Sequence, residues 1–116
     1  MGGGQGVGAQ APAPAMSVVV YAPDLMDRSR ISAAVAGATF VGRPEGLAAA
    51  AVDDVVAVDV SRSGVLEWLP SVRARRIIGF GSHVDRDVLE AARAAGCTEV
   101  LARSAFFSRL PDLFSD

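Results

Sequence analysis

The chain has little with which to build a soft-metal or thiol centre. Its 116 residues include one cysteine, Cys97, and one histidine, His83. A lone Cys excludes an internal disulfide, and one Cys with one His falls short of a transition-metal ligand set, so any metal chemistry must use oxygen donors. Lysine is absent: all 11 basic residues are arginine, set against 13 Asp and Glu for a net charge of −2. That balance offers no electrostatic case for nucleic acid or an anionic membrane. With abundant Ala, it points to a coding bias towards G and C rather than to a binding site. No apolar run approaches the length that spans a bilayer, and the start of the chain lacks the basic and apolar regions of a secretory signal. A soluble, cytoplasmic protein is expected.

What is present is enough apolar residue, 51%, to bury one core in one domain. Residues 1–16, "MGGGQGVGAQAPAPAM", carry no charge and consist almost wholly of Gly, Ala, Gln and Pro. Such a segment cannot repay the entropy of ordering and is expected to be a flexible tail. Its "GGGQGVG" has neither the preceding strand nor the Lys-Ser/Thr ending of a phosphate loop. The folded domain is therefore expected over residues 17–116.

Within it, five apolar runs alternate with helical patterns, as in a parallel sheet covered by helices. The expected strands are Ser17–Ala22, Thr39–Gly42, Val55–Val60, Arg76–Gly81 and Glu99–Arg103. None alternates cleanly, so burial on both faces is expected, with the first, third and fourth strands innermost. In "PDLMDRSRISAAVAG" Asp24 is a candidate N-cap, Ile31, Ala34 and Val35 share a face, and Gly37 is the stop. Shorter helices are expected over Pro44–Val52 and Ser63–Leu69, the second ended by Pro70. "SHVDRDVLEAARAAG" places Val84, Val88, Ala91, Ala92 and Ala95 at helical spacing, with Gly96 closing it. "SAFFSRLPDLF" begins a last helix from Ser104 that Pro111 bends or breaks. Right-handed crossovers then favour one doubly wound α/β domain, a five-stranded parallel sheet in the order 2-1-3-4-5 with helices on both faces. Ligands of such sheets sit beyond the carboxyl ends of the strands, where Pro23, Asp24, Asp59, Ser61, Gly81 to His83, Arg103 and Ser104 would lie.

With "VAVDVS" after the third strand and "EAARAAGCTEVLARSAF" through the fifth, the chain resembles the receiver domain of two-component response regulators. The resemblance places Asp59 at the phospho-acceptor position, Gly81 at the hydroxyl position and Arg103 at the position of the receiver's Lys. Where that family carries an acidic pair this chain has Ala22 and Pro23, with Asp24 one place later; Ser82 completes the pocket positions. Val100 stands where receivers carry a switching aromatic. Magnesium needs several oxygen ligands and phosphoryl transfer needs that cation. Loss or impairment of both is therefore expected, leaving at most weak magnesium binding through Asp59 and Asp24.

Without a metal, Asp59 at the end of a central strand must be paired. A two-bond ion pair with the planar fork of Arg103 is expected. The expected function is a receiver-like regulatory module, not an enzyme, that binds another protein through the helix of residues 82–96, the fifth strand and the last helix, with Val100, Phe106 and Phe107 on that face. The same face could support a weak homodimer. With no output domain expected after Asp116, signalling is again expected to pass through surface contacts. The alternatives are an atypical response regulator phosphorylated on Asp59, and a flavodoxin-like binder of small ligands.

Other residues read more plainly. Asp53 and Asp54 precede the third strand, at the far end of the sheet, as a solvated turn. His83 suits a cap or loop role, and Cys97 a small buried residue with no base beside it. Arg73, Arg75 and Arg76 read as a solvated turn, and Phe106, Phe107, Leu110 and Phe114 mostly as core.

Overall fold

The computed structural model describes residues 17–115. The tail expected over residues 1–16 and Asp116 lie outside the described residues.

Valine and isoleucine dominate the strands because their branched side chains suit a pleated, packed surface. Five strands form: β1 Val18–Tyr21, β2 Thr39–Phe40, β3 Val55–Asp59, β4 Arg76–Gly81 and β5 Glu99–Ala102. They pair in parallel in the order β2-β1-β3-β4-β5. Every residue of β3 is buried, as its unbroken apolar pattern requires of the central strand. The edge strand β2 is only two residues long; of Val41 and Gly42, which were expected to extend it, Val41 still donates its N–H to the Val20 carbonyl at 2.9 Å, and the chain bends at Gly42.

Helices cover both faces. On one lie α1 (Leu25–Ala34), α4 (Arg103–Ser108) and α5 (Leu110–Leu113), over a core that includes Ile31, Val35, Phe80, Phe106, Phe107 and Leu113. On the other lie a 3₁₀ turn (Pro44–Ala49), α2 (Val65–Trp68) with its 3₁₀ extension Leu69–Ser71, and α3 (Arg86–Ala95), over Leu47, Val58, Val65, Leu69 and Ala92.

The helix bounds differ from expectation for local reasons. Gly46 packs so closely on Val41 that a Cβ there would come within 2.9 Å of the Val41 Cβ, and glycine disfavours a full α-helix, so 44–49 winds as 3₁₀. Pro70 does not end its helix but continues it as a 3₁₀ turn, since a proline nitrogen needs no partner at such a terminus. α3 starts at Arg86, and Val84 is exposed in the preceding turn rather than on the buried face; Ala91 is exposed too, and Val88, Leu89 and Ala92 do the packing. In α1 the buried positions are Asp27, Ile31 and the following Val35, while Ala34 faces outward. α1 ends before Gly37, whose φ of 79° supplies the left-handed turn. The final helix breaks at Arg109, one residue before Leu110 and two before Pro111.

Candidate functional site

β1, β3 and β4 all end at one rim of the sheet, and register places Asp59 beside Phe80. The carboxylate is fixed first by its own loop. Its Oδ1 accepts from the Ser61 backbone N–H at 3.0 Å and from the Ser61 hydroxyl at 2.6 Å, and its Oδ2 accepts from Arg62 Nε at 3.3 Å. Asp59 is 1% exposed, so its charge is tenable because these donors replace lost water.

Arg103 is the first residue of α4, not the last of the fifth strand. Its guanidinium lies over two rings, 5.6 Å from the Phe80 centroid and 5.3 Å from that of Phe107. The expected two-bond fork to Asp59 does not form: Nη1 stands 3.8 Å from Asp59 Oδ2, an ion-pair separation too long for a hydrogen bond. The hydrogen bond goes instead from Nη2 to Oδ1 of Asp27, at 2.5 Å. Two causes combine. Asp59 is already satisfied from its own turn, and Asp27, one helical turn before Ile31, projects from the buried face of α1 towards α4. Asp27 is 3% exposed, and its Oδ2 is buried without a hydrogen-bond partner. The pair with Asp27 raises the Arg103 pKa further above its ordinary value, against the opposing effect of burial.

Asp24 caps α1, as its position suggested: its Oδ1 accepts from the N–H groups of Met26 at 2.9 Å and Asp27 at 3.0 Å. The Asp27 N–H is the largest influence holding the Asp24 carboxyl below its ordinary value; desolvation opposes it, and the Met26 N–H and the charges of Arg62 and Arg103 assist. Asp24, Asp59, Arg62 and Arg103 thus share one rim. Ala22 is buried and Pro23 half-buried beside them.

The remaining pocket positions contribute little polarity. A Cβ on Gly81 would meet Leu89 and Val60, each at 3.3 Å, so a side chain there enters the apolar layer under α3. The Ser82 hydroxyl accepts from the Val84 N–H at 3.3 Å in a local turn. Among the described residues no three His, Cys, Asp or Glu side chains converge as a metal site.

The expected interaction face needs correction. Phe106 is 0% and Phe107 8% exposed. Phe80 stacks on Phe106 at 4.2 Å and meets Phe107 edge-on at 5.6 Å, so both phenylalanines belong to the core, where such ring pairs pack best. Val100 is half-buried against the other layer. Sequence reasoning missed Asp27 and Arg62 altogether and gave Ser61 no role. The signal for Asp27 was its place one turn before Ile31; for Arg62 it was the three-residue spacing from Asp59.

The fold is similar to that of a solved structure, the crystal structure of a response regulator from Colwellia psychrerythraea. The two superpose with a TM-score of 0.61 over 86% of this chain and 97% of that one, at 13% identity. No protein-family model and no curated protein matches the chain. What the similarity establishes is the fold: this is a receiver-like, flavodoxin-like α/β chain of divergent sequence.

Proposed function

We propose that this chain is a receiver-like regulatory module that acts by binding another protein, with magnesium uptake and phosphorylation of Asp59 lost. The observation that carries the reading is that the positive charge beside Asp59 comes from the chain itself, through Arg62 at 3.3 Å and Arg103 at 3.8 Å.

Magnesium demands near-octahedral oxygen at about 2.0–2.1 Å and gives up its waters reluctantly. The oxygens on offer fit it poorly. Asp59 Oδ1 receives two donors and its Oδ2 faces two guanidiniums; Asp24 Oδ1 holds a helix cap; Asp27 Oδ1 holds Arg103. A phospho-acceptor must also present an oxygen to its donor, whereas the Asp59 side chain is 2% exposed.

Partner binding fits the crevice rim better than the helix-strand-helix face first considered. Leu25 and Met26 are each 75% exposed and Val84 72%. They follow β1 and β4, the two strands that flank β3. A partner would bury apolar side chains there over a crevice with its own charges paired.

The test is a titration of the purified chain with magnesium and beryllofluoride, followed by backbone amide shifts. The reading expects no saturable change at Asp59, Ser82 or Arg103. Saturable change at those residues would replace it with a phospho-switch on Asp59.

A further inference from the structure

Beside the crevice rim, α1 and α4 bring positive charge to one aromatic ring. The guanidinium carbon of Arg30 lies 4.1 Å from the Phe107 centroid, and that of Arg103 lies 5.3 Å from the same centroid. These two arginines, with Ser104, Phe107 and Ser108, line a cavity of about 400 Å³, within the range of small-ligand sites, about 300–1,000 Å³. No carboxylate lines it.

Of the two charges there, that of Arg103 is answered by Asp27 and Asp59 and, among the described residues, that of Arg30 is not. Arg30 is exposed and makes no ion pair among the described residues; its recorded contact is the face of Phe107. Arg103 commits Nη2 to Asp27 and holds Nη1 at 3.8 Å from Asp59, yet a guanidinium carries five N–H donors, so others remain for a ligand. Phe107 is 8% exposed and packed against Phe80 and Phe106, so the ring is a fixed floor. The Ser108 hydroxyl is spent on the Ala105 carbonyl at 3.1 Å, whereas the Ser104 hydroxyl has no hydrogen bond among the described residues.

We propose that this cavity binds a phosphate monoester, as a small molecule or as free phosphate, with Arg30 and Arg103 as its cationic clamp and Ser104 as a hydroxyl donor. Two planar forks and a hydroxyl offer more donors than the two oxygens of a carboxylate accept comfortably. A tetrahedral dianion with three terminal oxygens uses them better, and Arg is the side chain suited to such bidentate contacts. The site shares Arg103 with the Asp59 rim but needs no phosphoryl transfer.

The experiment titrates the full chain with inorganic phosphate and, in parallel, with glycerol 3-phosphate at constant ionic strength, again reading amide shifts. Saturable shifts are expected at Arg30, Ser104, Phe107 and Ser108. Affinity should fall about tenfold in Arg30→Gln, the loss of one charge-assisted contact, and less in Ser104→Ala, with the melting temperature of each variant close to that of the parent. Tighter binding of glycerol 3-phosphate identifies a small-molecule monoester as the occupant, and equal binding identifies free phosphate; either supports the site. Absence of saturation, an Arg30→Gln titration identical to that of the parent, or shifts confined to the Asp59 loop or to residues 73–76 would overturn it.

Discussion

Replacing Arg103 by Met should destabilise this chain far more than replacing its partner, and the asymmetry follows from burial. Asp27 has a side chain 4% exposed, and the Arg103 side chain is 40% exposed. Arg103→Met strands a buried carboxylate with neither oxygen bonded, since Oδ2 already lacks a partner. Breaking a buried pair in this way costs about 3–5 kcal/mol, and the half-open position of the departing guanidinium admits some water, which favours the lower end, about 3 kcal/mol. Asp27→Leu leaves Arg103 free to hydrate and removes the orphaned oxygen. The lost charge-assisted bond, about 1.5–3 kcal/mol, is offset by the relief of an unsatisfied acceptor worth about 1–3 kcal/mol, so a net cost below about 1 kcal/mol is expected. The double variant should recover at least half of the Arg103→Met loss, as apolar replacements of buried ion pairs commonly do. Urea unfolding of the parent, both single variants and the double variant at neutral pH measures the cycle. An Arg103→Met cost within about 0.5 kcal/mol of zero, or a larger cost for Asp27→Leu than for Arg103→Met, would refute this electrostatic account.

Other outcomes follow from the same geometry. Restoring a hydroxyl with Gly81→Ser should cost about 1–3 kcal/mol by crowding, because the new Cβ meets Leu89 and Val60 at 3.3 Å; thermal melting checks it, and the variant should gain no response to beryllofluoride. Burial pushes the Cys97 thiol up to about 11 from 9.0, so at pH 8 its thiolate fraction, and hence its alkylation by iodoacetamide, should be about a hundredfold below that of the unfolded chain. The folded-state pKa of Asp24 is lowered from 3.8, so its stabilisation is present above that value and is lost as pH falls through the lower, folded one. Melting curves of Asp24→Ala should therefore lie below the parent at neutral pH and converge with it in acid.

The sheet was legible because nothing local contradicts it: β3 reads as an unbroken apolar run and sits at the centre, buried throughout. The location of Asp59 was legible for the same reason, since it ends that run. Its partners were not. A sequence shows that Asp59 needs compensation but not from where, and the nearest source is the cheapest: Ser61 and Arg62 reach it within a single turn, without the entropy of closing a long loop. Asp27 stands in the first turn of α1, where an acid is ordinary; only the side-chain direction it shares with Ile31 sets it inside. Phe106 and Phe107 could each have been core or surface by pattern, and the stack on Phe80 decides both.

The bond between Asp27 and Arg103 spans 76 positions. During synthesis the acid leaves the ribosome long before its counter-charge, and burying it alone is prohibitive. The layer of α1 against the sheet must therefore stay open until α4 arrives, so closure on that side awaits a helix made 76 positions later.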